Sequence, residues 1–365
     1  MHSARIQIEH GNGLAVHGEE RTMKRGAGIL VLMVLVMGLV LLGSPGPPGE
    51  AGEAKYKWRM NQTHPKDTPF GQAAEAFAEE VRKNTKGRID ITVYHAGALA
   101  DWVLSNELVM RGDVELDLSP IAPTYDPRLN IAYYTPYLFK TVKESKAGYA
   151  KGGWINKMVD DLLAGVNIKG LSVLPLGLSG ATMRKPPPSP GDPDVPKEMK
   201  IRVMPLKPCE LTYKRLGYIP VAIPYAEAYS AIETGIADGQ MGGPPFQGHE
   251  FRDIQGAWVQ YNDFVETHWF KINRKLFDKL TKAEQKILID AAERQGVRQW
   301  EVVEAQDEEY RKKMADRGLK IIMLTDAELE KIAKAIRTDV WPELDKIVGK
   351  ALMDIARKNV GMPVK

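Results

Sequence analysis

The chain has 365 residues, an ordinary apolar share of 44% and a formal net charge of +3. That length allows two domains with filled cores, and mixed charge without a basic stripe excludes a nucleic-acid-binding surface. A single cysteine, Cys209, excludes an internal disulfide and a cysteine-based metal site, which is compatible with the periplasm.

At the N-terminus, Lys24-Arg25 precede an apolar run over 26–43, and a Pro/Gly-rich stretch leads to Ala51-Gly52-Glu53-Ala54. A basic start, an apolar centre and small residues before a cut describe a secretory signal peptide, with cleavage expected after Ala54. The run is long enough nearly to span a bilayer, so an uncleaved anchor is the alternative. The Pro/Gly segment favours cleavage, and no cysteine follows to carry a lipid. Residues 1–22 are polar, and Met23 begins an ordinary leader, so translation is expected to start there.

The pattern over 56–61 predicts a first strand. Thr68-Pro69 then opens a helix as N-cap and first-turn proline, with Phe70, Ala73, Ala74, Phe77 and Val81 as its apolar stripe and Gly87 as its stop. Alternation over 89–94 gives a second strand. Leu104, Leu108 and Val109 mark a helix ended near Gly112, and 114–118 is a third strand. This β-α-β-α-β order argues for a mainly parallel sheet flanked by helices, with ligands beyond the strand C-termini. A strand-like run over 168–178 leads to Ala181-Thr182-Met183-Arg184, and 186–196 is a proline-rich loop.

The stretch from Lys200 to Gln240 reads as a β/α unit. A strand, Lys200 to Met204, places Ile201 and Val203 on one face and Arg202 on the other. A helix over 209–216, a buriable run over 219–223 and a second helix from Pro224-Tyr225 to Gly235 follow. An arginine on a strand that runs into a helix N-terminus suits an anion, and it suits a structural salt bridge equally; the pattern leaves both open. Further on, 264–272 looks like a strand returning to the first domain. Thr281 to Glu284 is a capping box for a helix reaching about Ala315, and Thr325 to Glu328 is a second box before a break at Trp341-Pro342.

No phosphate loop, dinucleotide-binding glycine fingerprint, nucleophile elbow or zinc-protease motif is present, so neither cofactor nor metal is expected. Cys209 beside a histidine would be a nucleophile, but one cysteine on a short helix is more simply packing. His64, His249 and His268 lack metal-ligand spacing.

Residues 63–101, "THPKDTPFGQAAEAFAEEVRKNTKGRIDITVYHAGALAD", the run "LNIAYYTPYLF", and "KIRVMP" followed by "LGYIPVAIPYAEAYSAIETGIADGQ" resemble, in order and spacing, the DctP family: solute-binding proteins of tripartite ATP-independent periplasmic (TRAP) transporters. The resemblance covers nearly all of the chain after Lys55. It implies an α/β fold of two lobes, each a mainly parallel sheet flanked by helices, with a long helix spanning both. It implies a periplasmic, non-enzymatic protein that captures a small organic carboxylate and delivers it to the small and large membrane subunits of a TRAP transporter.

By that resemblance Arg202 pairs bidentately with the substrate carboxylate. Arg184 matches a second pocket arginine that contacts or supports the ligand, and Tyr225 matches an aromatic position against it. Trp102 lies where the first lobe faces the cleft, and Tyr125, His268 and Trp269 are further candidates near the domain crossings. One departure stands out: relatives continue Asp-Gly-Gln with Glu-Asn-Pro, whose asparagine binds substrate, and Gly242 replaces that asparagine here. The lost side chain leaves room for a bulkier or more apolar carboxylate. The expected lobes are 55–181 with 268–307, and 182–267 with 308–365, crossed near Ala181, near His268 and in the long helix. A secreted enzyme using the same cleft and a ligand-sensing module are the alternative functions.

Overall fold

A computed structural model describes residues 54–364. The signal-peptide expectation covers residues 1–54 and, apart from Ala54 at the expected cut, lies outside the described residues. The described chain builds one five-stranded and one six-stranded sheet.

It begins with β1 (Tyr56–Gln62), α1 (Pro69–Asn84), β2 (Ile89–Tyr94), α2 (Trp102–Arg111) and β3 (Leu116–Ser119). β2 and β3 pair parallel to either side of β1. Thr68 accepts from the Gly71 N–H and Asp101 from the Val103 and Leu104 N–H groups, so each helix is capped where its connection leaves the sheet. A 3₁₀ turn (Pro127–Ala132) and two helices, α3 (Val142–Tyr149) and α4 (Trp154–Gly165), lead to the long β4 (Ile168–Leu178).

The chain then enters the second sheet with β5 (Ala181–Met183), β6 (Lys200–Val203), α5 (Lys207–Arg215), β7 (Ile219–Ala222), α6 (Tyr225–Glu233), β8 (Gly239–Met241), α7 (Pro245–Glu250) and β9 (Ala257–Gln260). It returns as β10 (Val265–Asn273), which lies antiparallel between β3 and β4. The return was expected near His268, but His268 already pairs with Leu174 inside the first sheet. The change of sheet falls instead between Gln260 and Val265, where Tyr261 and Phe264 are buried. The apolar run of β10 extends past its crossing, so hydrophobicity alone does not mark where the sheet changes.

After the short α8 (Arg274–Asp278), α9 (Lys282–Asp316) runs 35 residues behind its capping box at Thr281 and Glu284. It packs on β4 and α1 of the first sheet and reaches α7 and β11 (Lys320–Met323) of the second. Gly296 permits the close approach: a Cβ there would stand 2.3 Å from the Val173 carbonyl oxygen. The chain closes with α10 (Asp326–Asp339), α11 (Trp341–Leu344) and α12 (Lys350–Asn359). Trp341 Nε1 donates to the Pro136 carbonyl at 2.9 Å and Arg337 to that of Tyr137 at 2.7 Å, which ties this tail to the turn after β3. Among the described residues no helix is long and apolar enough to cross a membrane.

Candidate functional site

One cavity of about 580 Å³ opens between the sheets. Its lining comes from the residues after β1 (Thr63, His64), the start of α2 (Trp102), the pair Tyr133-Tyr134, the end of β6 (Arg202, Met204), the start of α6 (Tyr225), the turn after β8 (Gly242) and β10 (Glu266, His268). Arg202, Tyr225, Trp102, Gly242 and His268 therefore converge on one space, although they lie far apart in sequence.

Arg202 is 2% exposed on its strand, and Ile201 and Val203 on the other face are fully buried. Its Nε donates to the Ile223 carbonyl at 2.7 Å, and its guanidinium lies 5.6 Å from the centre of the Tyr225 ring. No carboxylate among the described residues pairs with it. Burial pushes its pKa down to about 10, with Tyr225 acting weakly the other way. A desolvated guanidinium on a cavity wall, with no carboxylate partner among the described residues, suits an anion.

The helix that brings its N-terminus to this arginine is α6, through Pro224, Tyr225 and Ala226. The helix directly after β6 was expected to do so, but among its approach residues only Met204 and Pro205 border the cavity. Ile223 N bonds to the Val203 carbonyl, so the end of β7 stays beside β6 and aims the start of α6 at Arg202. Pro224 offers no side-chain cap there, which leaves first-turn N–H groups and the positive end of the dipole available to an anion.

Gly242 borders the cavity with φ of +89°, and its N–H donates to the Gly180 carbonyl at the crossing between sheets. A Cβ at this position would meet only Met204 Cε, at 3.4 Å. Glycine here thus serves the left-handed turn as well as leaving space.

Three expected site residues lie elsewhere. Arg184 turns its guanidinium to the Ile232 and Glu233 carbonyls and so closes the C-terminal end of α6. Tyr125 is 47% exposed beside Glu107, because the loop after β3 turns outward. Trp269 is 1% exposed and packs against Gly170; strand alternation sends it to the face opposite His268.

The same alternation adds Glu266, two residues before His268, to the cavity. Its Oε1 accepts from Gln247 at 2.9 Å, while Oε2 has no partner. Burial pushes its pKa up to about 7 against the opposing help of Gln247 and Tyr133. His64 and His268 stack with ring centres 5.0 Å apart, and burial holds both well below the ordinary histidine range, His268 at about 3. His64 Nε2, His268 Nδ1 and the Tyr134 hydroxyl also lack partners. An acid inside an apolar strand was the sequence signal for Glu266; the preceding crossing hid which face it would take. Cys209 is fully buried with its thiol pushed far up by burial, which removes it as a nucleophile.

Two sheets joined by crossing segments, a long helix behind both, and one cleft with an unpaired buried arginine define a two-lobed solute-binding protein. The family model described as "Bacterial extracellular solute-binding protein, family 7" (DctP) matches residues 60–345, and the chain belongs to that family. A curated solute-binding protein of Verminephrobacter eiseniae is 28% identical over 315 residues, covering 83% of this chain and 89% of its own. Among solved structures, a TRAP periplasmic solute-binding protein of Ralstonia eutropha with bound (S)-2-acetolactate superposes with a TM-score of 0.74 at 23% identity, over 84% of this chain and 98% of its own. The sugar-acid-binding protein of Advenella mimigardefordensis in complex with galactonate gives 0.72 at 23% identity, over 84% and 99%.

Proposed function

We propose that this protein is exported by its N-terminal signal peptide, captures a small organic carboxylate between its lobes in the periplasm, and presents it to the small and large membrane subunits of a TRAP transporter. The carrying observation is Arg202, buried at 2% exposure and hydrogen-bonded, among the described residues, only to the Ile223 carbonyl. A carboxylate received there gains a planar two-bond fork in a desolvated site, next to the α6 N-terminus. Tyr225, Trp102, Tyr133 and Met204 cover the body of the ligand. The relatives bound to acetolactate and galactonate, both carboxylates, support this reading.

The protein itself catalyses nothing in this scheme. The segments between β4 and β5 and between β9 and β10 act as hinges, and ligand shifts the lobes toward closure by its preference for the closed form. Protein purified from periplasm is denatured, its released small molecules are identified by mass spectrometry, and each is titrated back by calorimetry with scattering in parallel. A carboxylate that rebinds and compacts the particle is the expected result. A co-purified ligand without a carboxylate, or turnover of the ligand to product, overturns the proposal.

A further inference from the structure

The charged groups around the cavity are out of balance. Its lining holds one guanidinium, Arg202, and three carboxyl groups, Asp101, Glu250 and Glu266, while the lining histidines His64 and His268 are held neutral by burial. Asp101 is committed to the α2 N-terminus, and Glu250 accepts the Tyr225 hydroxyl at 2.6 Å. Glu266 is 4% exposed, and among the described residues no donor lies within hydrogen-bond distance of its Oε2, although the nearby Tyr133 hydroxyl favours its charged form. The nearest histidine nitrogen, His268 Nε2, is 3.7 Å from the other oxygen. A dicarboxylate would bring a second negative charge beside Glu266 and Glu250, which burial already makes costly to ionise, and would raise that cost further. A neutral hydroxyl would offer Glu266 a hydrogen bond but would not favour its ionised form, which burial resists. A protonated nitrogen does both.

Taking the carboxylate on Arg202 from the function proposed above, we infer that the ligand is a zwitterion whose ammonium or amidinium group is received by Glu266. Tyr133 and Tyr225 border the same cavity as Arg202 and Glu266. Glu266 is then a specificity-determining residue that separates aminocarboxylates from hydroxy acids and diacids of the same skeleton.

The test is calorimetry with a straight-chain series from glycine to aminohexanoate, each member matched with the hydroxy acid and the dicarboxylic acid of equal chain length. At least one amino member should bind about tenfold or more tightly than both of its counterparts. Glu266→Gln, which keeps the shape, should remove that preference while leaving the melting temperature of the ligand-free protein no lower than wild type. Equal or tighter binding by a hydroxy acid or diacid, an unchanged preference in Glu266→Gln, or no binding by any amino member overturns the inference. The two proposals fail differently. If carboxylates bind in an Arg202-dependent way without amine preference, only the zwitterion falls; if no bound carboxylate is weakened by Arg202→Ala, the carboxylate reading falls with it.

Discussion

Each sheet buries a cation on a strand, and the two cations are treated in opposite ways. Lys271, on β10, is fully buried; its Nζ lies 2.9 Å from Asp117 Oδ2 and donates to the Ser119 carbonyl at 2.9 Å, Ser119 Oγ at 3.1 Å and the Pro120 carbonyl at 2.9 Å. Arg202, on β6, is buried almost as deeply, but among the described residues it donates only to the Ile223 carbonyl, with the Tyr225 ring beside it. Burial lowers the pKa of both, but only Lys271 has a carboxylate to oppose it. The contrast separates a charge that belongs to the fold from one kept for a visitor: the first is satisfied within the chain, the second is left unsatisfied at a cavity wall.

Breaking the first pair should have the largest effect. Lys271→Met leaves Asp117 charged, desolvated and unpaired, and should cost roughly 3–5 kcal/mol of stability. Urea denaturation should show a lower midpoint with an unchanged slope. Adding Asp117→Leu should restore much of the loss, because a matched apolar pair no longer strands a charge. A Lys271→Met protein as stable as wild type would erase the contrast.

Arg202→Ala should do the reverse. The ligand-free protein should melt no lower than wild type, since no protein carboxylate loses its partner, while binding of the native ligand weakens by roughly 2–5 kcal/mol. Arg202→Lys should also bind poorly, because a point charge cannot reproduce the planar fork. Melting without ligand and calorimetry with it, on the same two variants, decide the matter. A lower melting temperature with intact binding in the folded fraction would make Arg202 structural after all.

The sequence exposed these two cations unequally. Arg202 was legible because it interrupts a short apolar strand and sits in the motif that carries the family resemblance. The two-lobed fold and the long α9 were legible from β/α alternation and from the capping box at Thr281. Lys271 and Glu266 were not singled out, because an apolar run such as 264–272 does not say which of its faces meets a cleft and which meets a neighbouring strand. The same limit misplaced Trp269, one residue from His268 and therefore on the other side of β10. Arg184 was misplaced for a different reason: a long side chain at the end of a strand can turn to any nearby acceptor, and the α6 carbonyls were within reach. Helix α4 carries a clear stripe in Ile155, Met158, Val159, Leu162 and Leu163, all buried, yet no helix was expected there. That pattern was available in the residues themselves.

The smallest effect extends the comparison from buried cations to buried acids. Glu266, beside Gln247, Tyr133 and His268, is raised to about 7. Asp263, which accepts the Tyr213 hydroxyl at 2.7 Å, is also raised to about 7, and Asp307, near Arg311 and Glu304, to about 8; burial is the main cause in each case. An acid raised in the folded state keeps its proton where the unfolded chain has lost it. Unfolding then releases protons, and stability falls as pH rises from the unfolded value through the folded one. His64 and His268 act in the opposite sense, since both are lowered, but most of their contribution is complete once pH passes the ordinary histidine value of 6.5. Lys197, lowered to about 8, contributes above that value. Between about pH 6.5 and 8 the three acids therefore dominate, and the ligand-free protein should lose on the order of 2 kcal/mol across that interval. Differential scanning fluorimetry in buffers of matched ionic strength should show a falling melting temperature, with a shallower slope in Glu266→Gln. A melting temperature that stays flat or rises over this range would mean that these acids find compensation that their surroundings do not show, and Glu266 would lose its standing as an acceptor waiting for a cation.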